Sequence, residues 1–238
     1  MKKIGRKIFI IVLFLIGLGI LMYPVISNYI NSFWQQARVG DYRSRVTELK
    51  QEEYELLLQD AERYNARLYE LGISFETIET ERKQLLEEGL DYPDILNIGE
   101  NGMMGYLVID KIDVCLPISH GSKEEVLKYG VGHQEGSSLP VGGENTHAVL
   151  FGHRGLPSAK LFTDLDQMEI GDNIEIHILD RTLVYEVDQI LVVEPEETDA
   201  LQIEAGKDYI TLVTCTPYAV NTHRLLVRAQ RVEDGRNN

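Results

Sequence analysis

The stretch DYITLVTCTPYAVNTHRLLVRAQRV, residues 208–232, decides how the chain is read. Its two ends are rich in β-branched and aliphatic residues, and each reads as a strand. Between them Thr216, Pro217 and Asn221 are turn formers. Side chains alternate faces along a strand, so Thr211, Val213 and Cys215 share one side. On the second strand Leu225, Val227 and Ala229 form one face, while Arg224 points with Leu226 and Arg228 to the other. Two neighbouring strands joined by residues 216–223 bring Cys215 and Arg224 close at their open end. One of only two cysteines in the chain thus sits where a strand runs out into a loop. Such a position is held rigidly yet remains reachable.

The same texture continues upstream. GYLVIDKI (105–112), VCLPI (114–118), HAVLF (147–151), NIEIHIL (173–179) and TLVYEVDQILVV (182–193) are short β-leaning runs. Gly142-Gly143, Gly171-Asp172 and Gly206-Lys207-Asp208 supply turn signals at the joins. Seven or eight strands with little helix between them predict a closed barrel or a sandwich. One break occurs at 157–168, where Leu161, Leu165 and Met168 have helical spacing and predict a single short helix. Residues 99–233 therefore read as one mainly β domain, followed by a disordered tail at 234–238.

Ahead of it the chain is helical. Tyr54, Leu57, Ala61, Tyr64, Leu68 and Leu71 step by three and four, giving one apolar stripe that Gly72 stops. A second segment, 74–88, carries Phe75, Ile78, Leu85 and Leu86 and closes at Gly89. Residues 28–98 thus form a helical extension or stalk. Residues 8–27 contain no acid or base among Asp, Glu, Lys, Arg and His and have the length needed to cross a bilayer. Lys2, Lys3, Arg6 and Lys7 precede them in a basic tail, residues 1–7, and no acid appears before Asp41. The positive-inside rule then predicts a single-pass anchor with a cytoplasmic N-terminus and an extracellular β domain. A cleaved signal peptide needs a shorter apolar core and a small-residue cleavage site, and no such site follows the run. The net charge of −15 argues against nucleic acid or an anionic membrane surface as a partner.

A cysteine nucleophile needs an acid/base partner, normally histidine. His153, in AVLFGHRG, lies just past an apolar strand between Gly152 and Gly155. His147 begins that strand and is the nearest rival. His120 and His133 lie in glycine-containing turns, and His177 faces out of an alternating strand. Arg224 offers a planar fork of donors for a peptide or a developing oxyanion; its bland alternative is an exposed salt bridge. No H-x-x-x-H or C-x-x-C spacing points to a metal, and no cofactor is expected. EPEETD, 194–199, reads as a solvated acidic loop. Cys115, in VCLPI, reads as structural. Two extracytoplasmic cysteines also admit a Cys115–Cys215 disulfide, which spacing alone does not exclude.

The ordered blocks GYLVIDKI…LPISHG, VGHQEGSSLPVGG, HAVLFGHRG, GLPSAKLFTDLDQMEIGD and VTCTPYAVNTHRLLVRAQR resemble the sortases, cysteine transpeptidases of Gram-positive cell surfaces, and among them the class C, pilin-polymerising branch. The resemblance runs over residues 102–232. It implies a closed eight-stranded barrel with Cys215 as nucleophile, His153 as general acid/base and Arg224 positioning substrate and oxyanion. Thr214 and Thr216, flanking the cysteine, become the expected substrate contacts. The implied partners are LPXTG-bearing pilin or surface proteins and the lysine amine of an acceptor pilin. A housekeeping-type sortase, transferring to cell-wall peptide stems, is the alternative within the family; a non-catalytic, disulfide-stapled scaffold is the alternative outside it. The class C pattern is departed from twice. Many members carry an Asp-Pro-aromatic lid, whereas residues 75–97 offer only Asp91-Tyr92-Pro93-Asp94. Many also end in a second membrane span, so anchoring here is expected to rest on the N-terminal helix.

Overall fold

The computed structural model describes residues 2–99 and 101–232, and the expected tail at 234–238 lies outside them. The chain begins with helix α1 (Lys2–Glu48), a single element of 47 residues with Pro24 inside it. The apolar run and the start of the extension are therefore one helix, with no break at residue 27. A proline costs the helix one backbone bond, a loss that membrane helices tolerate. From Asn28 onward α1 lies along the β domain. Its Tyr42 hydroxyl donates to the Met104 carbonyl at 2.9 Å and accepts the Leu179 amide at 2.8 Å. Val39 and Tyr42 are buried there against Met103 and Tyr106.

Helix α2 (Gln51–Leu71) uses the predicted stripe. Ala61, Tyr64 and Leu68 are buried, and Asn65 between them exchanges two hydrogen bonds with the backbone of Leu139. Gly72 ends the helix at φ 63°, a left-handed conformation for which glycine carries no Cβ penalty. Helix α3 (Ile78–Glu87) buries Ile78 and Leu85, while Leu86 stays exposed.

Eight strands follow: β1 (Met103–Ile109), β2 (Val114–His120), β3 (Val131–His133), β4 (Thr146–Phe151), β5 (Asn173–Ile178), β6 (Arg181–Val193), β7 (Asp208–Thr216) and β8 (His223–Arg231). They close into a barrel in the order β1-β2-β3-β4-β7-β8-β6-β5. Closure leaves no open sheet edge. Pairing is antiparallel except for β2/β3 and β4/β7. Ile118, Leu150, Ile176, Leu183, Ile210 and Val227 are fully or nearly fully buried in the main core.

Two expectations need correction. The GHQEG segment is not simply a turn, because His133 closes β3 and is completely buried. Nor is there a helix across 157–168: apart from a 3₁₀ turn at Leu165–Gln167 the segment is a chain of turns, with Leu161 at φ 41°. Leu161, Leu165 and Met168 are nevertheless all buried. Their helical spacing came from loop residues packing inward, which periodicity does not distinguish from a helix.

The buried histidines make stability depend on pH. His133 donates through Nε2 to the Ser138 carbonyl at 2.8 Å and accepts the Tyr92 hydroxyl at Nδ1. Burial pushes its pKa down to about 3 and also lowers that of His147. Both are neutral in the fold but take up a proton near pH 6.5 in the unfolded chain, so their stabilisation is full above 6.5 and is lost as pH falls below it, in the case of His133 down to about 3. Urea unfolding of the protein at pH 7 and pH 5.5 should show lower stability at the acid pH, by up to ~1.4 kcal/mol per pH unit per histidine. His133→Gln should flatten that slope, and an unchanged slope would refute the account.

Candidate active site

Strand β7 sets the site, because its two neighbours run in opposite senses relative to it. Parallel β4 pairs Phe151 with Val213, and the Gly152 amide extends the ladder by donating to the Val213 carbonyl at 3.0 Å. Two residues further along each strand lie His153 and Cys215. On the other side antiparallel β8 places Arg224 directly opposite Cys215. Directly opposed residues point to the same face with Cβ atoms about 5 Å apart. Three adjacent strands therefore deliver the three predicted residues to one end of the barrel.

The backbone that carries His153 is tightly held. The Gly152 carbonyl accepts the Thr214 hydroxyl at 2.7 Å, and the His153 carbonyl accepts the Phe162 amide at 3.0 Å. A side chain at Gly152 would meet the Phe162 ring at 2.4 Å, so only glycine allows that close approach. The imidazole Nε2 lies 3.2 Å from the Glu124 carboxylate on the short helix α4 (Glu124–Leu127). That carboxylate is largely exposed, which makes it a weak orienting contact.

The other histidines are engaged elsewhere. His147 is buried between the Gln202 carbonyl and the Thr211 hydroxyl. His120 sits between the carbonyls of Gly102 and Ile95. His177 stacks on the Tyr106 ring, the planes 4° apart. His223 pairs with Glu194. Among the described residues His153 is thus the histidine that stands level with the cysteine.

Cys215 is half-buried and not bonded to Cys115; both thiols are free. Cys115 lies on β2, at the margin of the contact between α1 and the barrel, where burial raises its thiol pKa. A raised pKa keeps a thiol protonated and unreactive. Arg224 bonds to the carbonyls of His223 and Asn221, and among the described residues no carboxylate lies within ion-pair distance of it. Arg228, four residues on, is by contrast held by both Asp188 and Glu204. The salt-bridge alternative for Arg224 is therefore not what the structure contains. An unpaired guanidinium facing a thiol can meet an incoming carbonyl.

The two threonines differ. Thr214 is buried, its hydroxyl committed to Gly152, so it ties β7 to the end of β4 and does not reach the surface. Thr216 accepts a hydrogen bond from Arg154 Nη1 at 3.1 Å. Arg154 was not singled out from the sequence, although its place beside His153 was the available signal. It is nearly buried, pairs with Asp166, and joins the loop after β4 to the loop after β7; its Nε has no partner among the described residues. Over the outer face of β4, β7 and β8, Phe75 packs on a small cluster of Val149, Leu201, Val213 and Leu226 that leads up to Cys215. Tyr92, from the segment inspected for a lid, is buried elsewhere against His133 and His120.

The structure is thus a closed eight-stranded barrel with a cysteine and an arginine opposed on neighbouring strands and a histidine just past the end of the third. The sequence pattern of the family described as Sortase domain matches residues 107–232. The chain belongs to the sortase family. Among solved structures it is similar to sortase C1 from Streptococcus agalactiae, with 46% identity, coverage of 83% of this chain and 99% of that one, and a TM-score of 0.73. The sortase C of Clostridium perfringens, solved with the C-terminal cell wall sorting motif, is 43% identical over 83% of this chain and 98% of that one, at a TM-score of 0.70. The sortase C of Streptococcus pneumoniae, described in terms of catalysis and pilin substrate specificity, is 39% identical over 83% and 97%, at 0.69. The chain spans about half the length of the curated relatives it matches.

The contrast between the two thiols is directly measurable. Under native conditions iodoacetamide should label Cys215 first, with Cys115 slower by about tenfold or more. Intact mass without reductant should show both thiols free. Equal labelling, or a mass two hydrogens short, would contradict the assignment.

Proposed function

We propose that this chain is a membrane-anchored cysteine transpeptidase that cleaves an LPXTG-like sorting signal between Thr and Gly and transfers the acyl group to a lysine amine of a pilin subunit. The observation that carries the reading is the pairing of Cys215 with an arginine that has no carboxylate partner among the described residues, level with His153. The sortase C neighbours support the substrate class by similarity, one of them solved with the C-terminal cell wall sorting motif and another described in terms of pilin substrate specificity.

The chemistry balances with these three side chains. Cys215 passes its thiol proton to His153 as its sulfur attacks the threonine carbonyl carbon, and the oxyanion that forms is met by the free donors of Arg224. The C–N bond to glycine breaks, the leaving amine takes a proton from His153, and a thioester remains on Cys215. A lysine amine then attacks the thioester, giving up a proton to His153. The C–S bond breaks, the isopeptide bond forms, and the thiol is regenerated. Arg154 is a positioning residue: it touches Thr216, next to the nucleophile, and does not reach the reacting atoms. Phe75 covers the apolar patch beside Cys215, so an apolar side chain of the sorting signal competes with it for Val213 and Leu226. The apolar part of α1 is the anchor, with the N-terminus cytoplasmic and the barrel outside.

Incubation with an LPXTG-type peptide should add an acyl mass to the protein. Cys215→Ala should abolish the adduct, and Arg224→Gln should lower kcat by about 10²–10³-fold, the loss typical of an oxyanion donor. An adduct that persists in Cys215→Ala would sink the proposal. A lysine-bearing pilin peptide should resolve the thioester faster than a short peptidoglycan amine; the reverse order would identify the housekeeping-type reaction instead. Phe75→Ala should raise the rate of acyl-enzyme formation without changing the pH dependence, and a slower rate would show that Phe75 supports the site and does not cover it.

A further inference from the structure

The stretch between Lys7 and Arg38 is uncharged over all thirty residues, 8–37. At about 1.5 Å per helical residue this is roughly 45 Å, the thickness of a bilayer with both headgroup layers included. The hydrocarbon core takes about twenty residues of it. The remainder, residues 28–37, lies beyond the apolar run and carries exposed Tyr29, Phe33 and Trp34, side chains suited to the interface.

The barrel touches α1 at this level. Asn31 Nδ2 donates to the Ser158 carbonyl at 2.7 Å, and the Lys160 amide donates to Asn28 Oδ1 at 2.8 Å. Gln35 donates to the Tyr129 carbonyl at 3.2 Å. Residues 158–160 follow His153 in the same loop. The loop after β7 reaches the same place: Tyr218 packs on Gly155, and with Pro24, Val25, Asn28 and Pro157 it lines a groove of about 440 Å³. Residues 217–220, Pro-Tyr-Ala-Val, are all exposed, Tyr218 by 55% and Val220 by 63%. No charged residue occurs from 216 to 222. In a chain of net charge −15 this exposed, uncharged, apolar loop sits beside the point where the anchor leaves the membrane.

We propose that the catalytic end of the barrel is seated on the outer membrane leaflet, with the 217–220 loop inserted among the lipid headgroups. The inference rests on the anchored topology proposed above. Its occupant is lipid, because the loop is continuous with the helix surface that the bilayer already covers. The contact is apolar: Lys160 and Arg154 beside it are paired with Asp164 and Asp166, and Arg224 at the base of the loop is turned onto the Asn221 and His223 carbonyls, so the seating is assigned to the apolar side chains and not to anionic lipid. Cys215 and His153 then work at the membrane surface, where a substrate that is itself membrane-tethered presents its scissile bond.

Full-length protein in lipid nanodiscs containing a nitroxide-labelled lipid, with the label near the headgroups, tests the seating. With Trp34→Phe as background, single tryptophans are placed by Phe14→Trp in the apolar run, Tyr218→Trp in the loop and Tyr69→Trp on α2. Tyr69 lines a groove with Thr146, at the opposite end of β4. The loss of emission at 218 is expected to be comparable to that at 14 and clearly greater than at 69. Val220→Trp repeats the test should Tyr218→Trp fail to fold. Quenching at 14 with 218 and 220 no more quenched than 69 overturns the seating while leaving the anchor intact. Absence of quenching at 14 overturns the anchored topology, and the seating with it.

Discussion

Everything at the candidate site depends on the register of β7 between a parallel and an antiparallel neighbour. Because strand side chains alternate, a slip of one residue would turn Cys215 into the barrel and bring Thr214 out. Three contacts oppose that slip. Gly152 extends the β4 ladder onto Val213, Thr214 holds the Gly152 carbonyl from inside, and Phe162 fills the space that only a glycine leaves open. Residues that never meet a substrate thus fix which side chains do.

The two faces of β7 have different work. Inward, Ile210 and Leu212 join a core that closes the barrel on itself; outward, Val213 joins Val149, Leu201 and Leu226 in a smaller apolar patch under Phe75. The outward row then changes character along its length. Val213 opposite Leu226 is apolar, and Cys215 opposite Arg224 is reactive and charged. An apolar shelf ending in a thiol and an uncommitted guanidinium suits a ligand with an apolar side chain next to a polar carbonyl. In a strongly acidic chain the lack of a carboxylate beside Arg224 among the described residues leaves its donors available, whereas Arg228 spends its own on two acids.

Legibility followed the range of the interactions. The long strands were readable because alternation is local, and the pairing of Cys215 with Arg224 followed from two strands and one short loop. β3 escaped notice because three residues, Val-Gly-His, carry no period and its glycine reads as a turn. The buried role of His133 depends on Tyr92, forty-one residues away. Arg154 depends on Thr216, sixty-two residues on, and nothing in its neighbours announces that contact. Residues 157–168 misled for the opposite reason: real burial of Leu161, Leu165 and Met168 imitated a helix that the backbone does not make. The apolar run was evident from composition, but its fusion with the following twenty-one residues, 28–48, into one helix was not, since a polar stretch after an apolar one reads equally as a boundary.

That fusion also has mechanical content. A helix that ran free between membrane and barrel would leave the catalytic loops at any height the linker allowed. Here α1 is tied to the barrel at several levels, from Asn28 and Asn31 on the loop after β4 to Tyr42 between β1 and the end of β5. The loop held lowest is the one that carries His153. A rotation of the barrel about the helix would have to break the buried Tyr42 bonds, leaving the Met104 carbonyl and Leu179 amide without partners at roughly 1–3 kcal/mol each. The fold therefore ties the end of the apolar run to the loop that carries His153 through side chains on a single helical face, and the placement of that loop along α1 is a property of packing, not of chain length.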